Sequence, residues 1–258
     1  MAGSTMFAMR AFAVSAVLVC VLAVSPSGLG QPSETTPYTV VASYPHDVGA
    51  FTQGLDFHRG KFYETTGFDP ASLRLVELDT GEVRKQKVIS DRYFGEGMTV
   101  LGDRLWWITW KSERAFLYDP VTFQRRRTVS YQGEGWGLTN NGRRLIMSNG
   151  TDQLVFRHPR TFEALRTLSV SDDGTPVGNL NELEWVNGEI LANVWAGDLI
   201  ARIDPGTGEV TSWIDLSALR SRESEGNETN GIAYLQRRDR LFVTGKNWSR
   251  VYEIQLAS

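Results

Sequence analysis

A chain of 258 residues, 41% of them hydrophobic, is long enough to bury a full core. Its 27 basic and 30 acidic side chains give a net charge of −3, and no basic stripe runs through the chain, which argues against nucleic acid as a partner. Cys20 is the only cysteine, so a disulfide framework is excluded.

Residues 1–30 read as a secretory signal peptide. A short stretch carrying Arg10 precedes an apolar run over residues 11–25, and small and turn-forming residues follow. The run falls short of the ~20 residues a membrane span needs. Its removal would take Arg10 and Cys20 with it, leaving no thiol nucleophile and 26 basic against 30 acidic side chains. The mature protein, residues 31–258, is expected to be a single domain, secreted or periplasmic, free of the membrane and monomeric.

Beyond residue 37 the chain repeats. A polar or aromatic residue, a small residue and an apolar residue open each copy: Gln53-Gly54-Leu55, Glu96-Gly97-Met98, Trp136-Gly137-Leu138, Asn181-Glu182-Leu183 and Asn230-Gly231-Ile232. The starts are 43, 40, 45 and 49 residues apart. After each comes a turn and a second strand, at 61–65, 105–109, 145–149, 190–194 and 241–245. Third strands follow at 73–79, 115–119, 154–158 and 199–204, each closed by a Gly or Pro turn, and fourth strands at 83–89, 124–129, 164–170 and 210–216. Four short strands per period of ~40–50 residues mark a β-propeller blade. The expectation is all-β: a five-bladed β-propeller with about four antiparallel strands per blade. The fifth copy stops after its third strand at Leu256, so the N-terminal strand, residues 38–44, is expected to close the last blade.

Equivalent repeat positions lie at equivalent places around a propeller axis. The residue opening each copy therefore defines one ring: Gln53, Glu96, Trp136, Asn181 and Asn230. Counting five residues beyond the first apolar residue of each second strand gives another: Gly67, Trp110, Gly150, Trp195 and Lys246. Core packing calls for aliphatic or small residues, yet these rings hold an acid, a lysine, three tryptophans, two asparagines and a glutamine. Glu96, between Gly95 and Gly97, is either a carboxylate bound by backbone amides or a proton carrier whose pKa burial has raised. Lys246 is a salt-bridge partner or a polar contact in the site. The tryptophans fill the propeller interior or wall a pocket, each with an N–H to offer. Asn181 and Asn230 close turns or face the same pocket. His46 and His58 stand alone, without a second ligand at metal spacing.

The segments YPHDVGAFTQGLDF (44–57), YFGEGMT (93–99), ITWK (108–111), GEGWGLT (133–139), LNELEWVNG (180–188) and NGIAY…LFVTGKNW (230–248) resemble the plant and bacterial type of glutaminyl-peptide cyclotransferase. The resemblance runs in order from residue 38 to 256. It implies a five-bladed propeller, in agreement with the repeat count, and conversion of the N-terminal glutamine of peptides or proteins to pyroglutamate with release of ammonia. It implies functional positions at Phe51, Gln53, Glu96, Trp110, Trp136, Asn181, Trp195 and Lys246. Glu96 and Lys246 are expected to be catalytic, and the other six to bind substrate. One departure is Thr65, where the family pattern leads one to expect a serine before the following threonine. No cofactor is expected to be required; a structural Ca²⁺ in the channel is left open. Two other classes stay in view: a metal-dependent, lactonase-like propeller hydrolase and a non-catalytic ligand-binding propeller.

Overall fold

The computed structural model describes residues 34–68, 70–224 and 227–257; the expected signal peptide lies outside them. Five four-stranded antiparallel sheets succeed one another along the chain. Blade 1 comprises Thr52–His58, Lys61–Thr66, Ser72–Val76 and Val83–Val88, and blade 2 comprises Gly95–Leu101, Arg104–Thr109, Arg114–Tyr118 and Arg125–Ser130. Blade 3 is Leu138–Asn140, Leu145–Ser148, Gln153–Arg157 and Ala164–Ser169, and blade 4 is Leu180–Val186, Glu189–Val194, Leu199–Ile203 and Val210–Asp215. Blade 5 takes three strands from the C-terminal end, Thr229–Leu235, Arg240–Gly245 and Arg250–Leu256. Its outer strand is Tyr38–Pro45, paired antiparallel with Arg250–Leu256 from Tyr38↔Leu256 to Pro45↔Arg250. The closure expected from the truncated fifth repeat is therefore present.

The first strands close into a ring: blade 1 packs on blades 2 and 5, blade 2 on 3, blade 3 on 4, and blade 4 on 5. Inner strands lie between neighbouring sheets and are buried along nearly their whole length, the polar residues they carry included. Outer strands such as Val83–Val88 and Arg125–Ser130 face solvent and read as charged. The core is correspondingly divided. One apolar cluster fills each gap between blades, for example Leu73, Met98, Trp107 and Phe116 between blades 1 and 2. Another joins Ile146, Leu154, Leu183 and Ile203 between blades 3 and 4. A short hairpin, Ser171–Asp172 with Thr175–Pro176, and a helical turn, Ser217–Arg220, were not anticipated from the strand pattern.

The glycine that opens four of the repeats is required by crowding at the axis. A Cβ on Gly97 would lie 2.8 Å from the Cα of Gly137, and one on Gly137 would lie 2.0 Å from the carbonyl oxygen of Asn181. Only hydrogen fits at those approaches. In blade 4 the glycine is replaced by Glu182, which is fully buried and bridges two other blades. Its carboxylate accepts the backbone N–H of Leu55 at 3.2 Å and of Ile232 at 2.8 Å. Glu184 accepts the N–H of Tyr234 at 3.0 Å, and Asp56 accepts that of Val100 at 2.6 Å. The reading of a carboxylate satisfied by channel amides thus describes Glu182, Glu184 and Asp56, not Glu96. Burial drives all three upward; Glu182 and Glu184 lie well above the carboxylate range, and Asp56 is pushed up to about 6.

His46 is not isolated. Its Nε2 lies 2.9 Å from Glu64 Oε1 and its Nδ1 2.8 Å from the carbonyl of Trp248. Burial opposes its charge, but the Glu64 carboxylate, together with the Trp248 carbonyl and Asp47, raises the imidazole above its ordinary value.

Candidate active site

The residues of the first ring owe their aim to β-bulges. Register breaks between Thr52 and Gly54, Gly95 and Met98, Leu180 and Leu183, and Thr229 and Ile232. Gln53, Glu96, Asn181 and Asn230 sit in these breaks, where the extra residue escapes the ladder and its side chain is re-aimed. In blade 3 the strand starts only at Leu138, so Trp136 precedes it, tied by its amide to the Ser148 carbonyl at 3.1 Å.

One cavity of about 410 Å³ is lined by Phe51, Gln53, Phe94, Glu96, Trp110, Trp136, Asn181, Trp195, Glu228 and Lys246. All eight residues singled out in the sequence are there. Asn230 stands behind them, fully buried, donating from Nδ2 to Gln53 Oε1 at 3.0 Å and to the Thr52 carbonyl at 2.9 Å. The second-ring glycines make room for rings: a Cβ on Gly67 would lie 2.5 Å from the Phe94 ring, and one on Gly150 2.5 Å from the Trp136 indole.

Glu96 is 5% exposed, and its carboxyl makes no hydrogen bond to any described residue. Burial pushes it well above the carboxylate range; Lys246 opposes the shift and Glu134 adds to it. The group is therefore held toward its protonated form inside an aromatic cavity. Asn181 is likewise buried, and its Oδ1 has no protein partner among the described residues. Buried polar atoms without partners carry a cost that a ligand can relieve.

Two carboxylates outside the expected set arrange the walls. Glu134 Oε2 accepts from Trp110 Nε1 at 2.6 Å and from Trp136 Nε1 at 3.0 Å. Glu228 Oε2 accepts from Lys246 Nζ at 2.7 Å and from Trp195 Nε1 at 3.1 Å. The three indole N–H groups, read from sequence as candidate donors to substrate, are thus already engaged. Trp136 and Trp195 meet edge to face with centroids 5.7 Å apart, and Lys246 Nζ stands 4.9 Å from the centre of the Phe51 ring.

Glu134, Glu228 and Phe94 share a signal with Phe51. Each lies two residues before a first-ring residue, at the positions Phe51, Phe94, Glu134, Asn179 and Glu228. This third ring is fixed by backbone bonds from the second. Gly67 N donates to the Phe51 carbonyl at 2.9 Å, Trp110 N to Phe94 at 3.2 Å, Trp195 N to Asn179 at 2.9 Å, and Lys246 N to Glu228 at 2.8 Å. Stitches between blades complete the mouth, as where Gly95 N donates to the Gly67 carbonyl at 2.9 Å and Gly135 N to that of Trp110 at 3.0 Å.

Among the described residues no group of three or more His, Cys, Asp or Glu is arranged to hold a metal ion, and no helix is long and apolar enough to cross a membrane.

Comparison with known proteins places this geometry. The chain is 39% identical over 240 residues to a glutaminyl-peptide cyclotransferase of Arabidopsis thaliana, covering 90% of this chain and 75% of that protein. It superposes on the crystal structure of Myxococcus xanthus glutaminyl cyclase with a TM-score of 0.82 at 37% identity, covering 86% of this chain and 97% of that one. The family model described as glutamine cyclotransferase matches residues 12–256, and the chain belongs to that family.

Proposed function

We propose that the chain converts the N-terminal glutamine of peptides or proteins to pyroglutamate with release of ammonia, by metal-independent acid–base catalysis in the aromatic cavity. The observation that carries this reading is the Glu96 carboxyl, buried, raised and without a hydrogen-bond partner among the described residues, in a cavity walled by Phe51, Phe94 and three tryptophans.

The α-amine of the substrate must attack as the free base, of which a useful fraction exists near its ordinary pKa of ~7.7–8.0. Its nitrogen forms a bond to the γ-amide carbon, and the carbonyl π pair moves to oxygen. Protonated Glu96 gives its proton to the departing –NH₂ as the C–N bond breaks and the carbonyl re-forms. The resulting Glu96 carboxylate then takes the surplus proton from the new ring nitrogen, which restores the acid and balances the reaction as amide plus amine to lactam plus ammonia. Lys246 supports the carboxylate form that appears between the two transfers. Asn181 and the free amide nitrogen of Gln53 supply polar contacts to the γ-amide and the developing oxyanion. Phe51, Phe94 and the indoles exclude water and hold the side chain folded back on its own amine.

Ammonia release from a Gln-initiated dipeptide, measured with and without a strong chelator, tests the reading. Equal release in both, with the mass loss of one NH₃ from the peptide, is the expected result. Release abolished by chelation would favour a metal-dependent propeller hydrolase-type mechanism. Peptide binding without turnover would favour a binding propeller.

A further inference from the structure

The aromatic wall of the cavity does not stop at its mouth. Phe51 and Phe94 line the cavity, and Phe68, which does not, packs against both: its ring centre lies 4.7 Å from that of Phe51 and 5.5 Å from that of Phe94. Phe94 in turn meets Trp110 at 5.6 Å. An unbroken aromatic track therefore leads from Trp110 inside to Phe68 outside. Phe68 is 51% exposed, whereas Phe51 and Phe94, on which it packs, are partly buried. Its base is held firmly. Gly67 beside it donates to the Phe51 carbonyl and accepts from Gly95, so the segment that presents the ring is tied to two blades.

Resting on the reaction proposed above, the chemistry says what meets this ring. The first residue of the substrate must enter the cavity for its γ-amide to reach Glu96, and its carbonyl carbon stays bonded to residue two throughout. Consecutive Cα atoms are ~3.8 Å apart, close to the step from Phe51 to Phe68. We propose that Phe68 is a specificity-determining residue: its exposed face receives the side chain of the substrate's second residue. The enzyme then favours apolar and aromatic second residues over glycine and over acids. An apolar side chain covers phenyl surface that otherwise faces water, and an aromatic one adds an offset or edge contact.

The test compares kcat/KM for Gln-Phe-amide, Gln-Leu-amide and Gln-Gly-amide in the native enzyme, Phe68→Ala and Phe68→Leu, with thermal unfolding recorded for each variant. Native enzyme is expected to favour Gln-Phe-amide over Gln-Gly-amide by about 3- to 10-fold, the scale of one aromatic contact. Phe68→Ala removes that preference while leaving Gln-Gly-amide unchanged, and Phe68→Leu keeps the preference for Gln-Leu-amide. Equal preference in native enzyme and Phe68→Ala, or an equal loss on all three substrates, overturns the assignment and leaves Phe68 as a cover for Phe51. Absence of ammonia from every peptide in the native enzyme would be a different failure, removing the proposed reaction and the subsite with it.

Discussion

A single oxygen of Glu228 holds Lys246 Nζ at 2.7 Å and Trp195 Nε1 at 3.1 Å, so one side chain at the cavity edge positions an amine and an indole together. Glu228→Ala frees both and is expected to raise KM by about 10-fold, the loss of one charge-assisted hydrogen bond. Glu228→Gln keeps an acceptor and should lose less. Steady-state kinetics on a Gln dipeptide decide it; equal KM values in the native enzyme and the alanine variant would mean that the clamp has no part in binding.

Glu96→Gln removes the proton carrier while retaining size and polarity. Turnover is expected to fall ~10²–10⁴-fold with the fold intact. Because burial raises the Glu96 pKa, ionising it inside the protein is costly, so the variant should also unfold at a higher temperature than the native protein at alkaline pH. Near-native turnover would remove Glu96 from the mechanism.

The neighbours of Glu96 should move its titration in opposite directions. Lys246 lowers its pKa and Glu134 raises it. If the protonated acid is the active form, activity rises as the substrate amine deprotonates and falls as Glu96 ionises. Lys246→Met is therefore expected to carry the alkaline limb of the kcat/KM profile to higher pH, and Glu134→Gln to carry it to lower pH. Limbs that stay in place in both variants would show that the limb reports another group.

Stability should peak on the mildly acidic side. Asp56, Glu96, Glu182 and Glu184 all have raised pKa values in the folded chain, so they keep protons that the unfolded chain has released. Their contribution falls as pH rises, from 3.8 to about 6 for Asp56 and from 4.5 upward for the glutamates. His46 acts in the same direction: its stabilising pair with Glu64 is complete below 6.5 and lost as pH rises through the raised folded value. Glu64 itself sets the acid side. Burial raises it, His46, Arg74 and the Thr52 hydroxyl together more than compensate, and its lowered pKa withdraws stability as pH falls below 4.5. A melting temperature greatest near about pH 5 is expected, with a shallower alkaline decline in Glu184→Gln. A maximum at pH 8 would contradict this account.

Glu182 provides a structural test. Glu182→Ala leaves the N–H groups of Leu55 and Ile232 buried without partners, at about 1–3 kcal/mol each, so a loss of about 2–6 kcal/mol in denaturant unfolding is expected. Stability within error of the native protein would show that blades 1, 4 and 5 are held together without this carboxylate.

The periodicity of the sequence determined a great deal. Five copies of one short pattern imply five equivalent strands around an axis, and a final copy lacking its last strand implies closure by the N-terminal one. Repeat equivalence alone gathered Gln53, Glu96, Trp110, Trp136, Asn181, Trp195 and Lys246, because symmetry converts equal spacing along the chain into proximity in space. Phe51 came only from the family resemblance. The third ring containing it, which brings in Phe94, Glu134 and Glu228, stayed hidden because it precedes the polar-small-apolar pattern by which each repeat is recognised. The tertiary structure decided what each side chain faces. Which carboxylates are satisfied by backbone amides, which clamp an indole and which is left bare depends on bulge geometry and on neighbouring blades, with partners 24, 50 and 127 residues apart in the chain. His46 with Glu64, and Phe68 beside Phe94, are pairs of the same kind. They arise from how sheets close around an axis, and the burial that gives Glu96 its raised pKa exists only once all five blades surround it.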